Sequence, residues 1–228
     1  MTPTVQIYQG REPDLPAATV NVVIDVLRAF TTTHVAFERG CDEILLAETV
    51  DEAFRLSESH PDYLLAGERD ARRVEGFDAG NSPYATSDLE FESGAILTTS
   101  NGVRATLNAL GADEVVVTGW TNTPATLAHL DRLLDAADEP RVNLVASHPV
   151  SDEDVACADF IAARLEDRTT PSARRVVDRI RTARSAQKFY SRQFHLRDLD
   201  LACRRRPADY AMIVDLSGQT PRLLPRRG

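Results

Sequence analysis

The strongest constraint on this chain is a rhythm: short runs of β-branched and other apolar residues recur along it, separated by segments whose apolar positions follow a helical period. The runs at 20–25, 43–47, 62–66, 94–98, 114–118 and 141–146 predict strands, and 31–39, 50–60, 102–110, 122–136 and 153–166 predict helices. Further helix is expected near 173–193, and a last short strand near 210–214. Strands that alternate with helices in this way form a largely parallel sheet covered by those helices. The expected fold is α/β, a three-layer α/β/α with a largely parallel or mixed sheet. With 228 residues, 43% of them hydrophobic, the chain can bury one substantial core or two small ones.

Two features interrupt the rhythm. Residues 67–93 are rich in Gly, Asp and Ser and too long for an ordinary connection in a compact domain, which marks a functional segment rather than a linker. Charge also shifts: residues 1–170 hold 12 basic against 30 acidic residues, net −18, and residues 171–228 hold 14 against 5, net +9. An α/β body over 1–170 is therefore expected, with a basic, mainly helical part over 171–228 packed on it, the two able to form one continuous domain. Within 171–228, Val176, Ile180, Ala183, Gln187, Tyr190 and Phe194 recur at spacings of three and four, the pattern of an amphipathic helix laid on the body.

The overall charge of −9 disfavours a nucleic-acid partner, so the arginines are expected to pair with the acidic body or with a second subunit of a homo-oligomer. Of the 26 basic residues only Lys188 is lysine, a bias that suits a salt-adapted cytoplasm or a GC-rich genome. No apolar run approaches the roughly 20 residues needed to cross a bilayer, and the N-terminus lacks the order of a signal peptide. A cytoplasmic protein without a membrane partner is expected. Cys41, Cys157 and Cys203 are odd in number and far apart, which indicates reduced thiols rather than a disulfide framework or a zinc site.

Polar residues cluster where the predicted strands end. Asp25 and Arg28 follow the first, Gly67-Glu68-Arg69 the third, Thr98-Thr99-Ser100-Asn101-Gly102-Val103-Arg104 the fourth, and Gly119-Trp120-Thr121-Asn122 the fifth. In open α/β sheets ligands bind outside the carboxyl ends of the strands, so these clusters predict one shared crevice. Each also has an ordinary explanation. Asp25 could cap a helix, Asn101-Gly102 could make a tight turn, Glu68-Arg69 could be a surface pair, Asp78 a turn former and Asn81-Ser82-Pro83 a helix entry.

Five of these stretches, in order, resemble the successive motifs of the 2-phosphosulfolactate phosphatase family: Val-Ile-Asp-Val-Leu-Arg-Ala at 23–29, Gly-Glu-Arg at 67–69, Gly-Phe-Asp-Ala-Gly-Asn-Ser-Pro at 76–83, Thr-Thr-Ser-Asn-Gly-Val-Arg-Ala at 98–105 and Gly-Trp-Thr-Asn at 119–122. The resemblance covers roughly residues 18–165. It implies a three-layer α/β/α fold and a magnesium-dependent phosphatase that hydrolyses 2-phosphosulfolactate to sulfolactate in coenzyme M biosynthesis. The chain departs from the pattern at Phe30, Asp70-Ala71, Ser100 and Val103, and it lacks the glycine-rich approach to the later acidic motif, of which Glu153-Asp154 and Ala158 remain.

Phosphoryl transfer demands charge placement more than covalent chemistry, so a divalent ion and arginines around a crevice form the expected set. Magnesium takes one or two carboxylates and completes its shell with water and phosphate oxygens. Asp25 is the leading candidate ligand, with Glu68 and Asp78 behind it. Asp25, Arg28 and Glu68 are the expected catalytic residues, and Arg69, Arg104, Asn81, Ser82, Thr98, Thr99, Asn101 and Asn122 the expected substrate-binding ones. A haloacid-dehalogenase-type site would need an aspartate where Leu27 stands, and the chain has no Gly-Lys-Ser/Thr loop for a nucleoside triphosphate. Two readings remain: an enzyme for a small phosphate ester, or a non-catalytic relative that binds an anionic metabolite or a macromolecular partner.

Overall fold

The computed structural model describes residues 2–191 and 193–227. From the N-terminus it contains β1 (Thr4–Gln9), β2 (Val20–Ile24), α1 (Ala29–Glu38), β3 (Ile44–Leu46), α2 (Val50–Ser59), β4 (Leu64–Arg69) and β5 (Arg72–Arg73). Next come α3 (Pro83–Thr86), β6 (Ala95–Thr98), α4 (Gly102–Asn108), β7 (Glu114–Thr118), α5 (Thr123–Asp135), β8 (Arg141–Ala146) and α6 (Asp152–Leu165). The chain ends with α7 (Ala173–Thr182), α8 (Gln187–Tyr190), α9 (Leu196–Ala202), β9 (Tyr210–Asp215) and β10 (Arg222–Arg227).

The ten strands form one mixed, largely parallel sheet in the order β1-β8-β2-β7-β9-β10-β3-β6-β4-β5. β1, β8, β2 and β7 are mutually parallel, and so are β3, β6 and β4. β9 runs antiparallel to β7, and β10 antiparallel to both β9 and β3. The two parallel blocks therefore run in opposite senses, and the C-terminal β9–β10 hairpin joins them. Residues 171–228, expected to be mainly helical and packed on the body, thus also supply two interior strands of its sheet. β1 was not predicted because, at a sheet edge, its residues are exposed or only half-buried and its apolar residues are interrupted by polar ones, leaving no continuous apolar run.

One apolar cluster lies against both blocks: Val23 and Val117 from one and Ile44 and Leu97 from the other close on Phe30 and Phe37 of α1 and Val103 of α4. The opposite face of the first block, with Val22, Ile24 and Leu144, packs on Leu130 of α5, Ile161 of α6, Ile180 of α7 and Leu199 of α9. A smaller cluster sets Ala53 of α2 on Leu45, Leu65 and Ile96. Burying a Leu or Ile of this kind contributes roughly 1.5–3 kcal/mol. α1 has no exposed face before Glu38: all its residues from Ala29 to Phe37 are buried, because core surrounds it.

The expected helix over 173–193 is broken. α7 buries Val176 and Ile180 as the spacing predicts, but the chain leaves helical geometry at Ala183, and in α8 Phe189 is buried while Tyr190 is exposed. The long 67–93 segment also holds more structure than expected. β4 runs on to Arg69, turns through Asp70 and Ala71, both at positive φ, and pairs with β5, while Ala66 bridges to Ala79. Gly67 permits the crossing, because a Cβ there would stand 2.1 Å from the Thr98 carbonyl oxygen.

Candidate active site

Asp25 is the first residue past β2, and four groups fix it. Its backbone N–H donates to the Thr118 carbonyl at 3.1 Å, extending the β2–β7 pairing by one rung. Its Oδ1 accepts the Ala29 N–H at 2.9 Å, so the carboxylate caps the start of α1, and its Oδ2 accepts the Ser147 hydroxyl at 3.2 Å. The start of α4 closes on the other side: a Cβ on Gly102 would lie 2.7 Å from both Asp25 Oδ2 and Ala29 Cβ. Only glycine permits that approach. Asp25 is thus a helix cap and, at the same time, one wall of a cavity of about 420 Å³.

Glu68, at the end of β4, is buried and faces the same cavity. Its Oε1 accepts the Ser100 N–H at 2.7 Å and its Oε2 the Ala71 N–H at 2.7 Å, so both oxygens are oriented by backbone. Arg28 enters from the start of α1. Asp198 of α9 accepts its Nη1 at 2.8 Å, and its guanidinium carbon lies 4.0 Å from the centre of the Phe194 ring. The same Asp198 accepts the Ser82 hydroxyl at 2.7 Å and the Tyr84 N–H at 3.0 Å, which ties α3, α9 and Arg28 together.

Behind Asp25 stands a second buried carboxylate. Asp154, in the first turn of α6, accepts the Val26 N–H at 2.8 Å, the His148 N–H at 3.0 Å and the Ser147 hydroxyl at 3.2 Å. Ser147 therefore bridges Asp25 and Asp154. Burial, with the nearby charges of Glu153 and Glu68, raises the Asp25 carboxyl to about 7, and burial with Glu153 and Asp25 holds Asp154 well above the usual carboxylate range. Around these two groups are hydrogen-bond donors and like charges, a site that favours a cation. His148 lines the cavity too, and burial above all, with Lys188, Arg184 and Arg11, holds it below its ordinary value against the pull of Glu153.

The donor set fits a hard cation. Asp25 and Glu68 offer carboxylate oxygens to one cavity, and Asn81, which also lines it, has a buried Oδ1 with no hydrogen-bond partner among the described residues. Oxygen donors of this type, few in number, are what magnesium takes when water and phosphate complete its shell. Asp78 does not join them. Its Oδ2 accepts the Leu65 N–H at 2.8 Å, so it braces β4, and among the described residues no three of His, Cys, Asp or Glu gather as a metal cage.

Of the residues singled out in the sequence, Asp25, Arg28, Glu68, Asn81 and Asn101 line the cavity together. The others lie elsewhere, for identifiable reasons. Arg69 is taken up by Thr98 Oγ1 at 2.6 Å and the Glu48 carbonyl at 2.9 Å, bracing β4 to β6. Thr98 is buried as that acceptor, and Thr99 Oγ1 accepts the Val103 N–H at 3.0 Å inside the start of α4. Arg104 points to the surface and pairs with Glu12. Asn122 is buried, its Oδ1 accepting from Thr118 and Gly119, so the fifth cluster secures the β7–α5 turn. Ser82 caps α3 and reaches the site only through Asp198.

Ser147, His148, Asp154, Ser185, Lys188 and Arg11 were not anticipated. The strand-end rule locates Ser147 and His148, which follow β8, and it would also have found Arg11 had β1 been recognised. Asp154 belongs to the acidic remnant at 153–154. Ser185 and Lys188 come from beyond residue 170, where the sequence carries no motif.

Comparison with known proteins adds an independent finding. Residues 6–218 match the family model described as 2-phosphosulpholactate phosphatase, which takes in both parallel blocks and β9. A protein of Bacillus subtilis (strain 168) named "Probable 2-phosphosulfolactate phosphatase" is 39% identical over 221 residues, 95% of this chain and 96% of the relative. A protein of the same name from Symbiobacterium thermophilum is 39% identical over 150 residues, 64% of this chain and 63% of its own length. Another, from Synechocystis sp., is 35% identical over 163 residues, 68% of this chain and 66% of its own.

Proposed function

The chain belongs to the 2-phosphosulpholactate phosphatase family, and from that premise we propose that it is a magnesium-dependent phosphoric monoester hydrolase acting on 2-phosphosulfolactate or a 2-phospho acid of similar charge. The observation that carries the reading is the cavity in which two oriented carboxylates, Asp25 and Glu68, face the anchored guanidinium of Arg28. Asp25, Glu68 and the unpartnered Asn81 Oδ1 would hold the metal. When bound there, magnesium supplies the positive charge that draws the phosphate in and offsets the charge it carries in the transition state.

The remaining work belongs to the chain. Arg28 is fixed at one nitrogen by Asp198 and stacked under Phe194, so its other N–H groups can meet phosphate oxygens without reorganising. The Ala29 N–H and the Ser147 hydroxyl keep the Asp25 carboxylate in one orientation, and Asp154 holds Ser147 from behind. Glu68, clamped by two backbone N–H groups, cannot turn away when charge develops in front of it. A place in coenzyme M biosynthesis and a cytoplasmic location follow if this substrate is the physiological one. Among the described residues no helix is long and apolar enough to cross a membrane.

The test is phosphate release from a panel of 2-phosphosulfolactate, 2-phospholactate and an aryl phosphate, each with magnesium and with chelator. The reading expects turnover that needs the metal and favours the 2-phospho acids. Binding of the acids without release of phosphate would favour the non-catalytic alternative.

A further inference from the structure

Among the described residues, three cations line the cavity: Arg28, Arg11 and Lys188. The charge of Arg28 is matched by Asp198. The other two are exposed side chains at the cavity's mouth. Arg11 donates to the Ser100 carbonyl at 3.4 Å, and among the described residues neither Arg11 nor Lys188 has a carboxylate partner. Both line the same cavity as His148.

Lys188 stands on a firm base. It lies two residues after the buried Ala186 and directly before the buried Phe189, and its carbonyl accepts the N–H groups of Gln193 at 3.1 Å and Phe194 at 3.3 Å. One turn earlier, Ser185 is held by Ser151 at 3.0 Å and by the buried Glu153. The ammonium is thus presented by an anchored segment rather than by a free loop. It is also the only lysine in a chain that otherwise uses arginine. An ammonium with three donors and a guanidinium beside it can both donate to the oxygens of a sulfonate.

We propose that Lys188 and Arg11 form the subsite that recognises the sulfonate end of the substrate, in the cavity they share with the phosphate-binding groups Asp25, Glu68 and Arg28. The assignment rests on the phosphatase reading given above and deepens it. The substrate carries three anionic groups, and a cavity that used only Arg28 and a metal would leave the sulfonate without a counter-charge. Two exposed cations, without a carboxylate partner among the described residues, supply it. Because they stand at the mouth, they would select among phosphate esters without taking part in the bond-breaking step.

The test compares 2-phosphosulfolactate with 2-phospholactate, which differs only by lacking the sulfonate, on wild type, Lys188→Gln and Arg11→Gln. Wild type should prefer the sulfonated ester. Each variant should lower that preference in kcat/KM by about tenfold to a hundredfold, the usual range for losing one charge-assisted hydrogen bond, mainly through KM. Sulfolactate, which has no phosphate, should lose inhibitory strength on the same variants by a similar factor. Both positions are exposed, so folding is not at stake. If both esters lose activity equally, or neither does, or wild type shows no preference, the subsite is overturned while the phosphatase reading stands. If wild type hydrolyses neither ester, the phosphatase reading fails and takes the subsite with it.

Discussion

Replacing Asp25 by asparagine should abolish phosphate release and, at neutral and alkaline pH, make the fold more stable. The expectation follows from the two states of one carboxyl. In the unfolded chain it titrates near 3.8, and in the folded protein burial and its acidic neighbours raise it to about 7. A group that binds its proton more tightly when folded contributes stability that is fully present below pH 3.8 and is lost as pH rises through 7. At about 1.4 kcal/mol per pH unit, the charged form costs the fold on the order of 4 kcal/mol above pH 7. Asparagine is neutral at every pH and keeps the local contacts: its Oδ1 can accept the Ala29 N–H and its amide can donate to Ser147 Oγ. Urea unfolding of both proteins at pH 5 and pH 8, in chelator, reads the effect. The variant should gain stability at pH 8, and the gain should narrow toward pH 5. Magnesium should then stabilise wild type, by mass action, more than the variant. A variant no more stable than wild type at pH 8, or a gain that ignores pH, would refute the reasoning and leave Asp25 as a helix cap.

The buried His34, held neutral by its surroundings, titrates at about 4 against an ordinary 6.5, so its contribution is present above pH 6.5 and lost as pH falls through 4. Acid unfolding curves should show roughly 3 kcal/mol less of that loss in His34→Gln, and an unaltered acid limb would count against it. Arg28→Lys should lower kcat/KM by about tenfold or more, since lysine loses the planar fork and the stack on Phe194, whereas Arg104→Lys, out on the surface with Glu12, should stay within about twofold. Steady-state kinetics that reversed this order would place the phosphate elsewhere. Gly102→Ala should cost roughly 1–3 kcal/mol in thermal or urea unfolding and displace Asp25, because the new Cβ meets Asp25 Oδ2 at 2.7 Å; unchanged stability and activity would show that α4 can withdraw freely.

The carboxyl-end rule led from sequence to Asp25, Arg28, Glu68 and Asn101 because each follows a strand whose apolar run is continuous. It also pointed to Asn122 and Thr98, which do not line the cavity, because a strand end that buries its polar residues in local hydrogen bonds looks the same in sequence as one that opens them to a cavity. The expected sheet was largely parallel or mixed, and it is mixed. The two blocks run in opposite senses, and the hairpin that joins them, β9 with β10, comes from the last residues of the chain. Only the first of those strands was predicted, since β10 reads Arg-Leu-Leu-Pro-Arg-Arg, with a proline and three arginines, and carries no apolar period. Lys188 and Asp198 were invisible for a different reason. Both sit on short helices of the basic segment, where nothing in the local pattern distinguishes a residue facing the cavity from one facing solvent.

The central claim is that the cavity between Asp25 and Glu68 hydrolyses a phosphate ester with the help of a bound divalent cation. The most direct measurement is phosphate release from 2-phosphosulfolactate by chelator-treated protein, before and after magnesium is restored, with Asp25→Asn in parallel. The account predicts no release in chelator, recovery on adding magnesium, and no recovery in the variant. Equal turnover with and without the metal, or a variant as active as wild type, would contradict it.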